Sequence, residues 1–145
     1  MIIPDTNLLL YAEIAAFPEH RAARRWWEAL LGSTYDVGLA PPAVFGFLRI
    51  ATNPRVLAPP LSVDDALDRI TAWLAQPNVR VLVPGPRYLV ITFDLLRALG
   101  TAGNLTTDAQ LAAFAIENTA TIYSNDTDFG RFAGVSWLNP IARRP

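Results

Sequence analysis

Four aspartates carry the chemistry this sequence can offer. Asp5 closes a short apolar run, Met1-Ile-Ile-Pro4, and is followed by Thr6 and Asn7. Asp108 stands in Thr106-Thr107-Asp108, just ahead of an apolar segment; Asp126 and Asp128 stand in Ser124-Asn125-Asp126-Thr127-Asp128-Phe129, just after another. Each position is also a fair helix cap, because short side chains with an oxygen accept hydrogen bonds from the free N–H groups of a first turn. A capping role and a chemical role therefore compete at every one. If the four carboxylates meet, they repel one another and take up protons. A hard divalent ion such as Mg2+ or Mn2+ relieves that repulsion and prefers oxygen ligands. Carboxylates with such an ion, and no other reacting group, form the apparatus of phosphodiester hydrolysis.

What the chain lacks narrows the chemistry further. The 145 residues include no Cys, so disulfides, thiolate-held metals and thiol nucleophiles are excluded. Every basic residue is Arg, which removes P-loop and Schiff-base chemistry. The one histidine, His20, excludes a multi-histidine metal site and reads as surface or capping structure at a helix start. The net charge of -1 shows no gross basic excess, so contact with nucleic acid needs a local patch. No apolar run is long enough to span a bilayer, and the N-terminus lacks the pattern of a signal peptide. A cytoplasmic protein with no membrane contact is expected.

The elements that must position the aspartates follow from hydrophobic spacing. Strands are expected over 1–4, 37–40, 78–83, 119–124 and 135–138. Helices are expected beyond Asp5, over about 19–31, over 41–52 behind Pro41-Pro42, and after the Ser62 cap up to Pro77. Two more are expected from Pro86 to Leu99 and over 108–118 with Thr107 as cap. Asp64 and Asp65 fall in a first turn, which explains them without a site. The segment 41–52 is almost wholly apolar and is expected to be buried, and Trp26, Trp27 and Trp73 are assigned to the core before a dimer surface. The tail Arg143-Arg144-Pro145 is expected to be loose. Strands alternating with helices give an α/β domain with a mainly parallel sheet, whose strand tips share one edge. Asp5 and Asp126 belong on that edge, and Asp108 can reach it from a helix N-terminus. With no repeat and no linker, residues 1–145 read as one domain with a sizeable core.

Four segments in this order resemble the PIN-domain ribonucleases, and within them the VapC toxins of bacterial toxin–antitoxin pairs. They are Ile3-Pro-Asp-Thr-Asn-Leu-Leu-Leu-Tyr-Ala12, Phe47-Leu-Arg-Ile-Ala-Thr-Asn-Pro-Arg-Val56, Gly103-Asn-Leu-Thr-Thr-Asp-Ala-Gln-Leu-Ala-Ala113 and Tyr123-Ser-Asn-Asp-Thr-Asp-Phe-Gly-Arg-Phe132. The resemblance implies a three-layer α/β/α PIN domain with a mainly parallel central sheet. It implies RNA cleavage dependent on Mg2+ or Mn2+, inhibition by a cognate VapB-type antitoxin, and a homodimer. By position, Asp5 and Asp108 match the principal metal ligands and Asp126 the acid after the last core strand, so these three are the expected metal ligands; Asp128 matches the acid beside the closing Phe and is expected to act from behind them. Thr6, Asn7 and Ser124 match small polar residues that orient ligands or water, and local capping explains them equally well. Arg49 and Arg55 are candidate RNA contacts, set against a buried ion pair for Arg49 and a solvated loop for Arg55.

One departure stands out. The family often carries Glu on the helix before Phe-Leu-Arg, and here Gly46 occupies that place. The expectation is an empty space, one ligand fewer and weaker metal binding. It also gives a second reading: a catalytically weak or inactive PIN module that binds RNA or antitoxin. Haloacid-dehalogenase phosphatases and response-regulator receivers also begin with a strand-tip Asp, but both need a Lys that this chain lacks.

Overall fold

A computed structural model of the chain describes residues 1–143; Arg144 and Pro145 of the expected loose tail lie outside the described residues. The strands are β1 (Ile2–Pro4), β2 (Val37–Leu39), β3 (Val79–Val81), β4 (Thr121–Tyr123) and β5 (Ser136–Leu138). The helices are α1 (Thr6–Glu13), α2 (His20–Leu31), α3 (Pro41–Ala51), α4 (Val63–Leu74), α5 (Tyr88–Leu99) and α6 (Thr106–Asn118). All strand pairs are parallel, in the order β3-β2-β1-β4-β5. The chain steps outward from β1 to β3, then returns across β1 to lay down β4 and β5. With right-handed crossovers, the helices joining the first three strands and those joining the rest fall on opposite faces. The result is the expected three-layer α/β/α arrangement.

The reversal of direction lies between β1 and β4, which pair Ile2 with Thr121, Ile3 with Ile122 and Pro4 with Tyr123. In a doubly wound sheet the crevice at that switch point is where ligands bind. Asp5 follows β1 and Ser124-Asn125-Asp126 follows β4, so the acids sit at that crevice.

Burial on both faces explains the apolar β1 and β2, every residue of which is buried. In α6, Ala109, Leu111, Ala112, Ala113, Phe114 and Ala115 are all buried, so this helix is enclosed on nearly every side. Trp27 meets the Trp73 ring edge-on at 5.7 Å, and Phe47 meets Trp73 at 4.8 Å, which locks α2, α3 and α4 together. Trp27 and Trp73 are therefore core, as expected, and Trp26 is half-buried against Tyr123.

Several expected boundaries move. α6 begins at Thr106 after a 3₁₀ turn at Gly103–Leu105, so Thr107 lies inside the first turn and caps nothing; the Thr106 hydroxyl instead donates to the Gly103 carbonyl at 2.8 Å. Thr119, expected in β4, takes a left-handed φ of 49° and ends α6 in the place where glycine is usual. β3 is shorter than expected because it is a sheet edge with Val81 and Val83 exposed. His20 caps nothing, since Glu19 is the N-cap of α2; its ring nitrogen Nδ1 lies 2.8 Å from the Tyr11 carbonyl, joining the start of α2 to α1. α3 is not wholly buried either. It packs through Ala43, Gly46, Phe47 and Ala51, while Phe45 is 66% exposed and Arg49 is exposed. A helix in an outer layer buries one stripe only, and apolar content does not say which.

Candidate metal centre

Asp5 is the deepest of the four acids, 6% exposed. It is the N-cap of α1, where Oδ1 accepts the Thr6 N–H at 2.7 Å, and Oδ2 accepts the Ser124 hydroxyl at 2.7 Å. Capping α1 and bonding to the residue after β4 are thus done by one side chain. A carboxylate offers about four lone-pair positions, so two hydrogen bonds leave capacity for a further contact.

Ser124 is fully buried and its hydroxyl is the hub. It donates to Asp5 and accepts from the Asp126 N–H at 2.9 Å and the Asn7 side-chain amide at 3.3 Å. An unsatisfied buried hydroxyl costs about 1–3 kcal/mol, so this geometry ties the end of β1 to the loop after β4. The Asn7 Oδ1 accepts the Asn125 N–H at 3.4 Å, and the Asn125 Oδ1 accepts from Asn139 at 2.8 Å. Asp126 Oδ1 accepts the Asp128 N–H at 2.8 Å and opens the 3₁₀ turn Thr127–Arg131, which the fully buried Phe129 anchors.

Asp108, Asp126 and Asp128 converge here. One carboxylate oxygen from each lies within 4.8 Å of the others, and all three side chains are half-buried. Burial raises the Asp108 carboxyl first, and the charges of Asp5, Asp126 and Asp128 raise it further, to about 7. Burial also pushes Asp5 above the usual carboxylate range, against its hydrogen bonds to Ser124 and Thr6, and the Asp126 charge adds to the rise. The only basic group of the described residues paired to the cluster is Arg131, 3.9 Å from Asp128 and about half exposed. A group of oxygen donors whose repulsion is only partly offset is what a hard divalent cation fits.

The structure thus gathers Asp108, Asp126 and Asp128, with Asp5 beneath them in electrostatic reach of Asp108. Asn7 and Ser124 lie in the supporting network. Thr6 points elsewhere, its hydroxyl donating to the Ala43 carbonyl of α3 at 3.0 Å. That placement corrects the expectation at Gly46. A Cβ there would lie 2.6 Å from Thr6 Oγ1 and 3.1 Å from Thr6 Cγ2, so the space is filled by Thr6. Arg49 and Arg55 are exposed and make no ion pair among the described residues, which removes the buried-pair reading of Arg49. Tyr11 and Asn139 were not singled out in the sequence. Tyr11 sits one helical turn beyond Asn7, a spacing that signals a shared face, and burial with the charges of Glu19, Asp5 and Asp126 raises its hydroxyl.

A PIN-domain family model matches residues 2–135. The chain is 56% identical over 141 residues to "Ribonuclease VapC33" of Mycobacterium tuberculosis, covering 97% of this chain and 99% of that protein. The chain belongs to the PIN-domain family, among the VapC ribonucleases. Its fold is shared with M. tuberculosis VapC20, described as a sarcin-ricin loop cleaving toxin, at a TM-score of 0.71 and 18% identity over 93% of this chain and 96% of that one. It is shared equally with VapBC2 from Rickettsia felis, solved bound to a promoter DNA fragment, at a TM-score of 0.70 and 15% identity over 96% and 98% of the two chains. No helix of this PIN domain, among the described residues, is long and apolar enough to cross a membrane.

Proposed function

We propose that this chain, with residues 1–145 as one PIN domain, is the toxin of a VapBC-type pair and hydrolyses RNA phosphodiesters in the cytoplasm. Asp108, Asp126 and Asp128 would hold a Mg2+ or Mn2+ ion, with Asp5 as the deeper ligand or anchor. The observation that carries the reading is the convergence of these carboxylates, with only the half-exposed Arg131 paired to one of them among the described residues, at the switch point of a chain kin to VapC ribonucleases. When bound, such an ion polarises the phosphoryl oxygen and lowers the pKa of water. The protein's own part is positional. Ser124 fixes Asp5 and the Asp126 backbone in one hydrogen-bond set, and Asn7 holds the Asn125 backbone. Asp126 fixes the turn that carries Asp128. Arg49 and Arg55 supply exposed positive charge for the RNA backbone.

The test is incubation of the purified protein with total RNA and Mn2+, followed by end mapping. Cleavage that stops in EDTA and in Asp108→Asn, while circular dichroism shows a folded variant, supports the reading. Undiminished cleavage in either case refutes it. The alternative, a catalytically weak or inactive PIN module that binds RNA or antitoxin, predicts binding with little or no cleavage in the same assay.

By likeness to the VapBC assemblies, a VapB-type antitoxin should place a basic side chain against the same acids. Co-expression with the product of a neighbouring gene should yield a complex with little nuclease activity. The exposed Leu89, Val90 and Phe93 on α5 offer apolar area to a second copy, and light scattering of the purified protein tests for a homodimer.

A further inference from the structure

A pocket of about 170 Å³ opens between α3 and α6, lined by Pro42, Phe45, Gly46, Arg49, Thr107 and Gln110. We propose that it is a nucleobase subsite for single-stranded RNA, a specificity-determining extension of the aspartate site; the proposal rests on the reading of the chain as a ribonuclease.

Three observations carry it. The first is position. Thr107 directly precedes Asp108 on α6, and Gly46 abuts the side chain of Thr6, which directly follows Asp5. One wall of the pocket thus adjoins Asp108 in sequence and the other meets Thr6, the residue after Asp5, so an RNA strand laid over the acids can carry a neighbouring nucleotide to the pocket. The second is the aromatic ring. Phe45 is 66% exposed, on a helix whose other large aromatic, Phe47, is fully buried. An exposed ring beside a phosphodiester site is a stacking platform, because every base has a π-face. The third is the polar rim. Arg49 lies one helical turn beyond Phe45, is exposed, and has no ion-pair partner among the described residues. Gln110 and Thr107 sit three residues apart on α6 and so share a face. The Gln110 amide offers a donor and an acceptor, and Thr107 a hydroxyl, the groups that read the edge of an unpaired base. Phe45 stacks the base, Gln110 and Thr107 contact its edge, and Arg49 pairs with the adjoining phosphate.

The test uses fluorescein-labelled single-stranded oligoribonucleotides that differ at one position, including a set abasic at that position. Binding is read by anisotropy in the Asp108→Asn background, which separates it from cleavage; cleavage is read in the parent with Mn2+. Phe45→Ala should weaken binding about 5- to 150-fold, the range seen when a stacking aromatic is truncated. Phe45→Trp should restore it. The loss should vanish on the oligonucleotide abasic at the occupied position, and Gln110→Ala should flatten the preference among bases there. Unchanged binding in Phe45→Ala, or equal losses on intact and abasic strands, overturns the proposal. So does a change in oligomeric state by light scattering, which would make Phe45 a protein interface. If the chain binds these strands through Phe45 yet cuts none, the subsite stands and the ribonuclease reading falls. If Phe45→Ala cuts and binds them as the parent does, the ribonuclease reading stands and the subsite falls.

Discussion

Replacing Gly46 tests the packing of α3 against the start of α1. On helix propensity alone, Gly46→Ala should stabilise the protein by about 1 kcal/mol. The structure predicts the opposite sign. The new Cβ would lie 2.6 Å from Thr6 Oγ1 and 3.1 Å from Thr6 Cγ2, so Thr6 must move. Thr6 is stiff about χ1 and its hydroxyl is held by the Ala43 carbonyl at 3.0 Å, so movement costs about 1–3 kcal/mol of overpacking. The balance is a loss of about 1 kcal/mol, or roughly 3 °C in Tm for a chain of this size. Thr6→Ala removes both clashing atoms and leaves only Thr6 Cβ, at an ordinary 3.4 Å. In that background Gly46→Ala should stabilise by about 1 kcal/mol, a coupling of about 2 kcal/mol between the two positions. Urea melts of the four proteins by circular dichroism measure it. The same geometry bears on the family's missing acid. Gly46→Glu in the parent must displace Thr6 and disturb its N–H bond to Asp5, so it should not tighten Mn2+ binding. Tightening by calorimetry is expected only in Thr6→Ala/Gly46→Glu. A stabilising Gly46→Ala in the parent, or a coupling below about 0.5 kcal/mol, would refute the packing argument.

The metal-free protein should lose Asp108's contribution to stability as pH rises. Its carboxyl titrates near 7 when folded against 3.8 when free, so the folded state holds the extra proton between those values and stability falls across that window. The difference in Tm between parent and Asp108→Asn in EDTA isolates the effect, and a difference that is flat with pH rejects it. Mn2+ affinity should rise over the same range, because the ion must displace that proton. Arg55→Ala should reduce the salt slope of RNA binding by about 0.7, the share of one phosphate contact on a single strand; an unchanged slope places Arg55 in solvent.

The fold was legible because β1, β2, the Pro41-Pro42 helix start and the Gly100 helix end are locally unambiguous. A wholly buried strand reads as an apolar run, and Pro41 and Gly100 begin or end helices by their backbone alone. The parallel order followed from alternation, and with it the edge where Asp5 and Asp126 lie. The shift of α6 to Thr106 and the left-handed Thr119 were not legible, because residue type only weakly constrains which of several hydroxyl-bearing residues ends or opens a helix. The exposure of Phe45 was hidden for a different reason. α3 is apolar on several sides, so its spacing fits more than one buried stripe, and only contact with α1, α4 and α6 selects Ala43, Gly46 and Phe47.

The case of Asp5 goes further than a boundary error. Capping and chemistry compete in the sequence as though one excluded the other, and in the structure the cap leaves the second carboxylate oxygen free to bond across the sheet edge. The Thr6 N–H that Asp5 caps and the Ser124 hydroxyl it accepts are the two bonds that fix the carboxylate beneath Asp108. Local propensity sees only the first, since the second crosses 119 residues of chain. The same holds for Gly46, whose meaning depends on Thr6, 40 positions away in sequence and in contact only after α1 and α3 have packed. The glycine on α3 and the threonine after the first aspartate are therefore one packing unit in this chain. Changing either residue alone should disturb the site more than changing both.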